Sequence, residues 1–239
     1  PSVNDMYPCY NVQSNRNENQ LFGAYVDFEN VEKDSAEGIA RPGHFKGVGT
    51  VVTKLFSWVR PQRSVFGQKD FMQCVLIKNL CREFFPDTQI IVHPTMRETD
   101  GLAMSSRNNK LTATERARAP LIYECLCVMA SYLFDNLQNE EPIPMETLKQ
   151  IGGQFAEKHN VKLEYISFHD FNTGERLDNA VGDVKKFLLE QNEMVISIAG
   201  SVGDSTRLID NVVVGKQNDK WWDAIKHVSL TSCFDGKPN

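Results

Sequence analysis

Residues 64–92 read SVFGQKDFMQCVLIKNLCREFFPDTQIIV, and this stretch decides the fold. Ser64-Val65-Phe66 is short and apolar, as a strand buried in a parallel sheet would be. Gly67-Gln68-Lys69-Asp70 supplies a turn, and the pattern predicts a helix from about Phe71 to Phe85. Pro86-Asp87 breaks that helix, and Gln89-Ile90-Ile91-Val92 gives a second strand. Upstream, Val48, Val51, Val52, Leu55, Phe56 and Val59 recur at helical spacing until Pro61 stops the run. The turn-rich segment Arg41-Pro42-Gly43-His44-Phe45-Lys46-Gly47 opens this helix. A short strand is expected at residues 24–28, and residues 9–23, CYNVQSNRNENQLFG, read as a polar loop. Helix, strand, helix, strand with short links predicts an α/β fold with a parallel, Rossmann-like sheet.

Downstream, the character changes after Arg107-Asn108-Asn109. Thr112 and Glu115 form a capping box for a long helix reaching about Leu137, with a kink or restart at Pro120. Glu141-Pro142-Ile143-Pro144 is a linker, with Pro144 placed as the first residue of the next helix. Strands follow near residues 162–168, 194–199 and 208–214, with a helix near 181–190. The chain thus divides into an α/β domain, residues 1–107, and a small α+β domain, residues 108–239.

The 239 residues are 41% hydrophobic, enough for one large core or two smaller ones, and 26 basic against 31 acidic side chains leave a net charge of −5. No basic run suited to nucleic acid interrupts this acidic balance. No apolar stretch is expected to approach the roughly 20 residues of a membrane span. Six cysteines, Cys9, Cys74, Cys81, Cys125, Cys127 and Cys233, form no CxxC pair. Reduced, mostly buried thiols of a cytoplasmic protein are expected.

Three constellations carry chemistry. Gly67-Gln68-Lys69-Asp70 sits where a strand meets a helix, at the carboxyl end of a parallel sheet, where ligands bind in such folds. A helix N-terminus with free N–H groups and a lysine suits an anion, although the same residues also make an ordinary helix start. Met104-Ser105-Ser106-Arg107, preceded by Arg97, Asp100 and Gly101, pairs two hydroxyls with a guanidinium able to meet two phosphate oxygens. Read alone, it is more simply a polar interdomain loop. His44, with Arg41 beside it, either donates to an anion or caps backbone groups.

Taken together in this order, RPGHFKGV, FGQKDFMQ and PTMRETDGLAMSSRN resemble the pantothenate synthetase family over nearly the whole chain. Tyr25-Val26-Asp27, Leu111-Thr112-Ala113 and Arg207-Leu208-Ile209-Asp210-Asn211 extend the likeness, and MSSRN resembles the KMSKS segment of the wider nucleotidyltransferase superfamily. The resemblance implies a Rossmann-like domain followed by a lid, a homodimer, and ATP with Mg²⁺. It implies ligation of pantoate to β-alanine through a pantoyl adenylate, with release of pyrophosphate and AMP. By matching positions, Gly67, Gln68, Lys69 and Asp70 line the ATP site, with Lys69, Ser105, Ser106 and Arg107 as the catalytic set. Gln73 hydrogen-bonds pantoate, the backbone of Met96 meets adenine, and Met104, Ser105, Ser106 and Arg107 hold phosphate. The resemblance assigns no residue as a metal ligand. Gln68 replaces the family's usual glutamate, a mild change if this position acts through its backbone.

One departure is larger. The family's HxGH motif has no counterpart: the histidines are His44, His93, His159, His169 and His227, and no two have that spacing. The resemblance therefore implies an N-terminally truncated chain, inactive alone. The rival readings are a non-catalytic scaffold or partner domain that retains the fold, and another adenylate-forming enzyme, which Gln73 and the RPGHF block disfavour.

Overall fold

Pro61 ends a helix, as its missing N–H and fixed φ dictate, and the chain turns at once into a strand. The computed structural model describes residues 1–7, 10–11, 16–17, 24–178, 180–190, 192–204 and 206–215. These belong to two compact units, Pro1–Phe66 with Met72–His93, and Gly67–Phe71 with Pro94–Asn239.

In the first unit α1 (Val3–Met6) starts on a Ser2–Asp5 capping box, and β1 (Tyr10–Asn11) pairs antiparallel with β2 (Arg16–Asn17) inside the expected loop. Short helices α2 (Glu29–Asp34) and α3 (Ala36–Ala40) precede α4 (His44–Val59), which Gly43 opens at φ +79°. Then come β3 (Arg63–Gly67), α5 (Phe71–Phe84) and β4 (Gln89–His93). β3 and β4 lie side by side as a parallel pair, with α5 as the crossover between them. Their inward residues Phe66 and Ile90 pack on a core of Phe45, Val52, Phe56, Leu76, Ile77 and Leu80. Each large side chain fully buried there contributes about 2 kcal/mol.

The strand expected at residues 24–28 does not form. The Val26 N–H donates to Thr50 Oγ1 on α4 at 3.0 Å, and Val26 and Phe28 pack against the core. Apolar alternation here serves a helix contact instead of a sheet.

In the second unit, the helix expected from Thr112 divides at Pro120 into α6 (Ala113–Arg118) and α7 (Leu121–Asn136), and Thr112 and Glu115 make the capping box. α8 (Met145–Lys158) follows Pro144, which stands just outside the helix as its N-cap. β5 (Lys162–Asp170), α9 (Val184–Leu189), β6 (Glu193–Ser201) and β7 (Leu208–Gly215) complete the unit. The sheet is antiparallel in the order β5-β6-β7, with Ser197 opposite Asn211 and Ile198 opposite Asp210. α7 packs on β6 and β7, and α8 on β5.

Against the expectation that no stretch approaches a membrane span, Ala113–Asn136 is long and apolar enough by composition. Its apolar residues are mostly buried in the unit's own core, where a helix apolar on all sides belongs. Cys74, Cys81, Cys125 and Cys127 are buried thiols, while Cys9 and Cys233 lie outside the described residues.

Candidate active site

The turn after β3 is a single 3₁₀ turn, Gln68–Asp70, running directly into α5. Gly67 precedes it with φ −81° and ψ 131°, a conformation open to any residue, and an added Cβ would meet nothing within 4 Å. The fold itself makes no demand for glycine here. The position faces open space from which a ligand could approach the backbone. Asp70 is exposed and lies within the first turn, while Gly67 occupies the cap position.

The second segment closes on itself. Met104 N donates to the Met96 carbonyl at 2.8 Å, Glu98 N to the Leu102 carbonyl at 2.8 Å, and Arg97 bridges Ala103. Gly101 turns this loop at φ +88°, and a Cβ there would stand 2.7 Å from the Tyr123 ring. That ring lies beneath the Arg97 guanidinium, 3.7 Å from its centroid. Arg97 also donates to both oxygens of Asp210, at 2.5 and 3.1 Å, and to the Gly101 carbonyl at 3.1 Å. Burial pushes the Asp210 carboxyl up, and Arg97 opposes that rise. Beyond the loop, Ser105 Oγ accepts from Arg107 N at 3.3 Å and caps a 3₁₀ turn, Ser106–Lys110. Ser105 thus shapes the turn as well as facing the site, while Met104 and Ser106 are exposed.

The two segments meet. Lys69, Ser105, Arg107, Asn108 and Asp210 line one cavity of about 10 Å³, room for roughly one water molecule. A triphosphate therefore cannot lie inside it, while Gly67, Met104 and Ser106 are exposed to solvent. Asn108 donates to the Ala103 carbonyl at 3.1 Å, and its Oδ1 is buried with no partner among the described residues. Such a group is rare and fits a site completed by another molecule. Asn211 on β7 donates to the carbonyls of Gln68 and Lys69. Sequence reading gave no role to Asn108, Asp210 or Asn211, which show only as parts of longer matched blocks.

Gln73, Arg41 and His44 belong to the other unit. Gln73 is half-buried on the first turn of α5. His44 Nε2 faces the Arg41 guanidinium at 3.0 Å, and Arg41 pairs with Glu37 at 3.2 Å. Glu32, unmarked in the sequence reading, accepts from the amides of Gly43 and Lys46 and so caps α4. Among the described residues no group of three His, Cys, Asp or Glu is placed to hold a metal ion.

With this geometry, residues 1–213 match the family model for pantoate-beta-alanine ligase. The chain belongs to the pantoate–β-alanine ligase family. The pantothenate synthetase of Herpetosiphon aurantiacus is 36% identical over 214 residues, covering 90% of this chain and 68% of that protein. The enzyme of Thermodesulfovibrio yellowstonii is 37% identical over 215 residues, covering 90% and 67%. The solved pantothenate synthetase of Thermus thermophilus superposes with TM-score 0.70 at 29% identity, covering 90% of this chain and 68% of that one. A pantoate-beta-alanine ligase from Francisella tularensis, solved with beta-gamma ATP and beta-alanine, matches with TM-score 0.54 at 33% identity, covering 80% and 58%. The chain thus spans about two thirds of the length of the first three of these proteins.

Proposed function

We propose that this chain carries the greater part of the site of an ATP-dependent pantoate–β-alanine ligase. In the first step a carboxylate oxygen of pantoate attacks the α-phosphorus of ATP, and the bond to pyrophosphate breaks. In the second, the β-alanine amine attacks the acyl carbon of the pantoyl adenylate. AMP leaves with the bonding electrons, and the amine proton passes to solvent or base. Such transfers depend on positioning and charge neutralisation more than on covalent help from the protein. Lys69 and Arg107 supply fixed positive charge, Ser105 and Ser106 donate to phosphate, and the backbones at Gly67, Gln68, Asp70, Met96 and Met104 complete the nucleotide contacts. Gln73 receives pantoate. Mg²⁺ would arrive with the phosphates and would neutralise part of their charge. A nucleotide-binding part, residues 1–107, a lid, residues 108–239, a homodimer and a cytoplasmic setting belong to the same proposal.

The observation that carries this reading is the proximity of Lys69, Ser105 and Arg107, which stand together around one cavity too small for the phosphates themselves. A family whose solved Francisella member is a complex with beta-gamma ATP and beta-alanine supports it. The test is titration of the chain with Mg²⁺–ATP, followed by amide chemical shifts. Shifts are expected at residues 67–71 and 104–107, and Lys69→Ala should weaken binding at least about tenfold. Unshifted spectra at saturating ATP would refute the reading. The 239 residues hold no HxGH pair, so turnover by the chain alone is expected to be undetectable. A polypeptide bearing that motif, added in trans, should allow pantoate-dependent exchange of pyrophosphate into ATP. Lys69→Ala should then cut that exchange by at least about a hundredfold.

A further inference from the structure

Asn211 is 2% exposed, on a strand far along the chain from the turn it touches. Its Nδ2 donates to the Gln68 carbonyl at 3.0 Å and to the Lys69 carbonyl at 2.9 Å, while its Oδ1 accepts from Gln68 Nε2 at 3.3 Å. The orientation of the amide is fixed by chemistry, because only the NH₂ end can face two carbonyl oxygens. Those carbonyls belong to a 3₁₀ turn, where main-chain geometry is less well held than in a full α-helix. The preceding residue, Asp210, holds the other segment, with Arg97 running from its carboxylate to the Gly101 carbonyl and to the Asn211 carbonyl at 3.3 Å. Adjacent residues on a strand leave it on opposite faces. One dipeptide of β7 therefore grips the Gln68–Asp70 turn with one side chain and the root of the Met104–Arg107 loop with the other.

We propose that Asn211, with Asp210 beside it, is a positioning residue that sets Lys69 relative to Ser105 and Arg107 for a nucleotide's phosphates. The proposal rests on the functional reading above for its phosphate half. The backbone clamp stands independently of that reading. Fixing these groups before the ligand arrives is what makes charge stabilisation effective, because a mobile lysine loses part of its contribution to reorganisation. The clamp also gives Gln68 a role through its side chain: a glutamate at this position could not donate to Asn211 Oδ1.

Two variants of the 239-residue chain test this, Asn211→Leu, close in volume but without donors, and Asn211→Ala. Hydrogen exchange resolved by residue is measured first, without ligand. The amides of residues 69–72 are expected to exchange at least about tenfold faster than in wild type, with amides of β5 and β6 unchanged. Titrations with Mg²⁺–ATP and with adenosine come second. Positioning of phosphate groups predicts that ATP affinity falls at least about tenfold while adenosine affinity holds within about twofold. Unchanged exchange at residues 69–72 overturns the clamp. Exchange rising equally throughout the sheet overturns it too, since Asn211 would then only support the fold. ATP and adenosine weakening together overturns the phosphate role. A wild-type chain that binds no ATP overturns the functional reading and the phosphate role with it, while the exchange result still decides the clamp.

Discussion

His169 on β5 is 1% exposed, with its ring centroid 6.3 Å from that of Phe71 and neither ring nitrogen hydrogen-bonded among the described residues. Burial drives its pKa down to about 4, with the Asp178 carboxylate opposing the fall and Arg176 adding to it. In the unfolded chain the group titrates near the ordinary value of about 6.5. Between these values the unfolded state binds the additional proton, so the contribution of His169 to stability is complete above about pH 6.5 and falls as pH drops toward about 4. The loss reaches about 3 kcal/mol. Urea unfolding across that range should show it, and His169→Phe should flatten it; an equally steep profile in the variant would assign the slope to other groups. Asp178 does not confuse the window. Its pKa is lowered, with burial opposed by Arg176 and Lys149, so its contribution is lost only at more acid pH. Gly101 is a second residue with a sharp expectation. Its φ is +88° and a Cβ would clash with Tyr123, so Gly101→Ala should cost about 1–3 kcal/mol and displace the ring beneath Arg97. A thermal midpoint within about 1 °C of wild type would contradict this.

Elements whose cause is local were legible, and those whose cause is distant were not. α4, α5 and the break at Pro120 follow from apolar spacing and from proline, both visible in a short window. The candidate phosphate-binding segments were also legible as blocks, because glycine, lysine, serine and arginine cluster within a few positions. Residues 24–28 misled because alternating apolar residues suit a helix groove as well as a sheet, and the Thr50 hydroxyl takes the amide a neighbouring strand would have taken. Arg97 and Asp210 gave no sign of each other, since 113 positions separate them. Their pairing has a measurable weight. Asp210 is nearly inaccessible, so Arg97→Met would leave a carboxylate buried without its partner, at a cost of about 3–5 kcal/mol. Arg97→Met combined with Asp210→Leu should recover most of that loss, since two apolar groups leave no stranded charge. Denaturant midpoints of the single and double variants decide it. A single variant within about 1 kcal/mol of wild type would show that the pair adds little to the fold.

At the scale of the molecule the two units are unequal. Among the described residues, the main cluster of the first unit has seven buried side chains, and that of the second has 28. The first unit's sheet beside α4 and α5 is a single pair of five-residue strands, and Val65 and Ile91 on its outer side are 61% and 39% exposed. A two-stranded sheet is marginal without strong cover. In the second unit, by contrast, Met194, Val195, Ile196, Ile198 and Ala199 of β6 are all fully buried in a three-stranded sheet backed by α7. Local stability follows such differences in buried apolar contact, so the first unit should open at lower denaturant than the second. The cysteines report on this directly, because Cys74 and Cys81 lie on α5 in the first unit and Cys125 and Cys127 on α7 in the second. Burial pushes the thiols of Cys125 and Cys127 up to about 12, leaving almost no reactive thiolate at about pH 8 while the fold holds. Brief iodoacetamide pulses in rising urea, mapped peptide by peptide, should therefore label Cys74 and Cys81 at a lower urea concentration than Cys125 and Cys127. Peptide mapping keeps Cys9 and Cys233 out of the comparison. If all four thiols become reactive at one midpoint, the units unfold as a single cooperative block and the size of the separate cores does not set the order of opening.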